Sequence, residues 1–159
     1  MKSLFMSKIR KVLQNKAELE MKLKVKIDVN GRRVSVKSVA GKEVDEYFAV
    51  KVLEALDYPF LIDDVLLLAK EEYLMEVLDI KNFTKRKNLE VIKARIIGRG
   101  GKTLDVLYNL TDCVVVVQDN DVAILGKAED VHDATQAVIS LIQGSKQGNV
   151  YSRLEKRNK

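Results

Sequence analysis

Ile96-Ile97-Gly98-Arg99-Gly100-Gly101-Lys102-Thr103 is the stretch on which the reading of this chain turns. A P-loop that closes on Gly101-Lys102-Thr103 needs a glycine at position 96, where the chain has Ile96. A dinucleotide fingerprint starting at Gly98 needs its third glycine where Thr103 stands. The spacing that does fit is helix–Gly-x-x-Gly–helix, with Gly98 and Gly101 bracketing Arg99 and Gly100. Glycines let a loop's backbone come close to a sugar-phosphate chain, because a Cβ would stand in the way. A helix starting at Lys102 would turn its unpaired N–H groups and positive dipole end toward that chain. Arg99 and Lys102 add charge at the same place. A plain helix–helix turn has no need of two basic side chains there. The residues expected to form the contact are therefore Gly98, Arg99, Gly100, Gly101 and Lys102, with Lys93 and Arg95 on the preceding helix.

Working outward, Tyr73–Ile80 is a short apolar run bounded by charge and reads as a strand. Residues 88–97 carry Leu89, Ile92, Ile96 and Ile97 at helical spacing. Lys102–Thr111 resumes that period through Leu104, Leu107 and Leu110. Cys113–Val117 is β-branched and reads as a strand. Gln118–Asp121 carries turn residues, and Val122–Leu125 returns as a second strand that Gly126 is expected to end. Ala128–Ile142 is an amphipathic helix, with Val131, Ala134, Val138, Leu141 and Ile142 on one stripe. The order is strand, helix, glycine loop, helix, strand, strand, helix.

The N-terminal half repeats this order in weaker form. Leu4–Met6 reads as a strand, Lys8–Leu13 and Lys16–Lys24 as two helical pieces. Val25–Val29 and Arg33–Val39 form a hairpin around Asn30-Gly31. Val44–Leu56 is the closing helix, with Val44, Phe48, Val52 and Ala55 roughly in line. Only Gln14-Asn15 separates the two helical pieces, so the first unit has no counterpart of the glycine loop. Pro59, the only proline, marks the end of that unit.

Charge follows the same division. From Met1 to Arg33 there are ten Lys/Arg against three acids, and from Gly41 to Asp79 eleven acids against three Lys. Lys81, Lys85, Arg86, Lys87, Lys93, Arg95, Arg99 and Lys102 then face Glu90 alone. Basic residues beside an acidic block make a directional surface of the kind that steers a polyanion. One cysteine, Cys113, excludes an internal disulfide, and one histidine, His132, leaves no plausible zinc site. His132 reads as a surface residue, Cys113 as a packed one, and Asp63-Asp64 as a helix start. No nucleophile, base and orienter converge, so an enzyme is not expected, nor is a cofactor. The N-terminal apolar stretch is too short for a secretory signal and no later segment approaches a membrane span. A soluble, cytoplasmic protein with no membrane partner is the expectation.

The loop and element order resemble a type I KH domain, in which the extra strand and helix follow the loop. From about Tyr73 onward the chain resembles the partner-of-Nob (Dim-two) family of KH proteins. The carriers are Ile96–Thr103, Val122-Ala-Ile-Leu-Gly126 and the tail motif Gly148-Asn-Val-Tyr151 running into Leu154-Glu155. The resemblance implies an α+β fold with tandem type I KH domains (β-α-α-β-β-α), each a three-stranded antiparallel sheet with helices on one face. On this chain those would be a degenerate first KH domain at 1–60, a connecting helix at 61–72, the second KH domain at 73–145 and a basic C-terminal tail at 146–159. It also implies a non-catalytic assembly factor of the small ribosomal subunit that binds a single-stranded segment of ribosomal RNA near its 3′ end. The partners it implies are an endonuclease of ribosomal RNA maturation or a translation initiation factor. The alternative is a protein-interaction adaptor whose acidic 41–79 region docks a basic ribosomal protein or factor. Tyr151 could stack on a base, although anchoring the tail is the favoured reading.

Overall fold

Val25, Ile27, Val34 and Val36 alternate with charged or small polar residues, a period of two that fits a sheet with one buried face. In a computed structural model, which describes residues 1–157, these side chains are buried while Lys26, Asp28 and Lys37 are exposed. They belong to the first of two compact units, residues 1–71 and 72 onward. Lys159, counted with the basic tail, lies outside the described residues.

The first unit runs β1 (Lys2–Phe5), α1 (Ile9–Gln14), α2 (Lys16–Leu23), β2 (Val25–Asn30), β3 (Arg33–Ser38) and α3 (Glu43–Leu56). Its antiparallel sheet has the order β1-β3-β2. Asn30 pairs with Arg33, so the two-residue turn is Gly31-Arg32 with Gly31 at φ +62°. The turn thus sits one residue later than Asn30-Gly31. α3 packs across β3 and β1. It buries Ala49, Val52, Leu53 and Leu56, whereas Val44 is 53% exposed, so the apolar stripe is rotated from the expected line. Glu46 takes Val44's expected place inward, where its carboxylate accepts the Ser38 N–H at 2.8 Å. That bond holds the Glu46 carboxyl below its ordinary value. The segment expected to connect the halves forms α4 (Ile62–Leu66) and a 3-10 turn, Leu67–Ala69, both packed on α3 with Val65 and Leu68 buried.

The second unit runs β4 (Tyr73–Asp79), α5 (Leu89–Ile97), α6 (Lys102–Thr111), β5 (Val114–Gln118), β6 (Asp121–Lys127), α7 (Ala128–Ile142) and α8 (Gln147–Arg157). Its sheet is antiparallel in the order β4-β6-β5, matching the first unit strand for strand. Ile92, Ile96, Leu107, Val115, Val122, Ile124, Val138 and Leu141 form its core. Gly126 does not end β6: it pairs with Leu74 and the strand continues to Lys127. A Cβ at Gly126 would lie 2.7 Å from Cys113 Sγ, so this glycine serves packing rather than termination. The expected tail is largely a helix. Val150 and Leu154, one turn apart, join the core, and Arg157 donates to Asp130, Asp133 and the Leu110 carbonyl. The fold is therefore α+β, with two three-stranded antiparallel sheets.

Candidate nucleic-acid interface

α5 is fixed to the core by Ile92 and Ile96, both buried, and α6 by Leu107. Between them the chain must reverse in four residues, and three of these are glycines at positive φ: Gly98 (+78°), Gly100 (+63°) and Gly101 (+79°). The Gly98 N–H closes α5 on the Ala94 carbonyl at 2.8 Å, and the Gly101 N–H returns to the Gly98 carbonyl at 3.2 Å. The three glycines do different work. A Cβ at Gly98 would lie 2.3 Å from Thr103 Oγ1 and 2.6 Å from the Thr103 amide nitrogen. Gly98 is thus demanded by the protein's own packing against the buried Thr103. At Gly100 and Gly101 a Cβ would meet nothing within 4 Å. Their bare surface is open space in front of the first turn of α6, whose N–H groups have no intrahelical acceptors.

Arg99 and Lys102 are both exposed, and among the described residues neither is held in an ion pair. Loop, helix end and two free cations converge, as the spacing predicted. The other two basic residues are placed differently. Lys93 pairs with Glu90 at 3.1 Å, its own side chain 17% exposed. Arg95 turns inward: its guanidinium donates to the Leu141 carbonyl at 3.0 Å and to the Ser145 carbonyl. It therefore satisfies the C-terminal end of α7, which attracts a cation. Gln147 donates to the Arg95 carbonyl, tying α8 to the same corner.

Thr103 was missed as a site-shaping residue, although its place just after the loop is visible in the sequence. Arg86 was counted only as charge; the structure brings it to the end of α7, beside Arg95. The first unit has no comparable loop. A single residue, Asn15, separates α1 from α2, and its amide nitrogen bonds the Lys11 and Val12 carbonyls. Lys11 is also used internally, donating to the Tyr58 and Phe60 carbonyls, and burial pulls its pKa down. His132 is exposed and Cys113 buried. No group of three or more His, Cys, Asp or Glu among the described residues could hold a metal ion. No helix among them is long and apolar enough to cross a membrane.

Comparison with known proteins shows the domain type of the second unit. Residues 74–159 match the model of the second KH domain of PNO1, described as a eukaryotic-type KH domain, type I. A KH domain-containing protein of Methanocaldococcus jannaschii is 31% identical over 87% of this chain and 62% of its own length. The pre-rRNA-processing protein pno1 of Aspergillus fumigatus is 31% identical over 86% of this chain and 56% of its own. The chain thus spans little more than half the length of these relatives. The crystal structure of an a/eIF2alpha–aDim2p–rRNA complex from Pyrococcus horikoshii contains a chain that superposes with a TM-score of 0.88. That chain is 25% identical, and the match covers 98% of this one and 92% of it. This chain belongs to the Dim2/PNO1 family of type I KH-domain proteins.

Proposed function

We propose that this protein is an RNA-binding assembly factor of the small ribosomal subunit. The loop Gly98–Lys102 of the second unit would clamp a single-stranded segment of ribosomal RNA near its 3′ end. The observation that carries the reading is the loop itself: two open glycines at positive φ and two exposed cations at the start of α6. Backbone N–H groups and a helix N-terminus suit phosphate, and the missing Cβ atoms admit the sugar-phosphate chain. The pre-rRNA-processing relatives and the rRNA-bound neighbour support ribosomal RNA as the ligand. Lys93 flanks the clamp, while Arg95 acts on it indirectly by fixing α5 to α7.

The first unit shares the strand order and element order of the second, which supports reading it as a KH domain without a clamp. Its role is that of a scaffold. A second reading, an adaptor that docks a basic protein, draws on the exposed acids Glu43, Glu54 and Asp63 of that unit. It also draws on the initiation-factor subunit present in the neighbour's complex.

The decisive experiment replaces Arg99 and Gly100 with aspartates and titrates the full chain with single-stranded ribosomal RNA. Both positions are exposed, so the variant should stay folded, losing only the strain of about 1 kcal/mol that a side chain meets at Gly100's positive φ, while binding falls by about a hundredfold, the loss of roughly two charge-assisted contacts. Full affinity in that variant sinks the clamp.

A further inference from the structure

We propose a second phosphate-binding surface on the same unit, formed by Lys85, Arg86 and Lys87 with Lys146. It would hold the backbone of the RNA strand beyond the clamped nucleotides. The proposal rests on the clamp reading above and extends it.

Four observations carry it. Lys85, Arg86 and Lys87 are exposed on the loop that leads into α5, and Lys146 is exposed just after α7. The two segments meet in space. The Cβ position of Gly144 lies 3.9 Å from Arg86 Nη2 and 4.0 Å from Arg95 Nη1. Two guanidinium groups therefore share the end of α7. Only Arg95 is consumed there, by the Leu141 and Ser145 carbonyls. The helix end accounts for one cation and leaves the others unneutralised. Among the described residues no carboxylate pairs with Lys85, Arg86, Lys87 or Lys146, and the only nearby acid in sequence, Glu90, is held by Lys93.

Unpaired cations held together repel one another, and a polyanion relieves that cost. A guanidinium presents a fork matched to phosphate, and lysines beside it hold charge without base preference. The position fits a continuing strand. α5 has nine residues, about 13 Å, with the basic loop at one end and the clamp at the other. A strand that fills only the clamp, about four nucleotides, stays at one end; a longer one comes within reach of the other.

The test uses the full chain and two probes from the 3′ end of small-subunit ribosomal RNA. One is a strand of about 16 nucleotides; the other is its best-binding segment of about four nucleotides. Anisotropy titrations across a potassium chloride series compare wild type with Lys85→Glu/Arg86→Glu/Lys87→Glu, and with the corresponding triple Gln variant. At low salt the Glu variant should bind the long strand at least about tenfold more weakly, and its log–log salt slope should flatten by about 2, three charges at about 0.7 each. The Gln variant loses the same three contacts, so its slope should flatten equally while its affinity falls less. Short-strand affinity should stay within about twofold, since the clamp is intact. Charge reversal at Lys22, Lys24 and Lys26 of the first unit should leave the long strand within about twofold, which separates a site from net charge. Unchanged long-strand affinity in both triple variants, or an equal loss in the Lys22/Lys24/Lys26 control, overturns the proposal. Failure of the clamp reading looks different: the Arg99→Asp/Gly100→Asp variant would then bind the short strand like wild type.

Discussion

At the scale of single residues, the glycine loop separates two demands that the sequence writes with the same letter. Gly98 has no room for a Cβ, while Gly100 and Gly101 have room but need positive φ. Gly98→Ala is expected to cost about 3 kcal/mol, from strain plus the collision with Thr103, and Gly100→Ala about 1 kcal/mol from strain alone. Urea unfolding of the two variants measures the difference; equal costs would contradict the distinction. Cys113 gives a pH test. Burial pushes its thiol from 9.0 up to about 11. The unfolded chain loses this proton first, so the stabilisation is complete below pH about 9 and is lost as pH rises through about 11. The stability advantage of wild type over Cys113→Ala should therefore shrink across that window, read as urea midpoints; a constant gap would exclude the linkage. The loop's backbone was legible in sequence because glycine is the residue that both demands select. Arg95 was not: a basic side chain on an amphipathic helix can face a ligand or a carbonyl. Here Leu141 and Ser145, about fifty residues further along the chain, decide the matter.

Among elements, the hairpins and core helices were readable to within a residue or two, because each carries a strong period or a β-branched run. α8 was not readable as a packed helix. Only two of its eleven residues, Val150 and Leu154, are buried, and one apolar pair a turn apart is too thin a stripe against so polar a background. What holds it is tertiary: the core of its own unit and the Arg157 bridge to Asp130 and Asp133. Leu154→Ala should therefore cost about 2–4 kcal/mol, as for a leucine in a packed core. A solvated tail would lose less than about 0.5 kcal/mol. Chemical denaturation distinguishes these outcomes. Gly126 teaches a related lesson. A glycine beside a strand was read as its end, whereas the neighbouring Cys113 side chain makes it an interior position.

For the molecule as a whole, the repeated order of elements was legible because each half has its own hairpin and closing helix. The unequal chemistry of the halves was legible from the glycine loop and the charge blocks. How much of the first unit's positive charge is committed internally was not legible, since the carbonyl partners of Lys11 come from the distant segment after α3. On the proposed function, Lys8, Arg10 and Lys16 would supply only sequence-independent attraction. Reversing these three charges should lower affinity for every single-stranded RNA by about the same small factor, no more than about twofold, with an unchanged rank order of sequences. A reordered preference, seen by competition between RNAs, would give the first unit a reading role. The junction at Asn15 also bears on how such a role could arise. α1 and α2 are separated by one residue, and the loop of the other unit needs four. No point substitution can supply missing backbone, so a second grip would require an in-frame insertion. Random point mutagenesis of this gene is blind to that change, whereas a library of short loop grafts at Asn15 samples it directly.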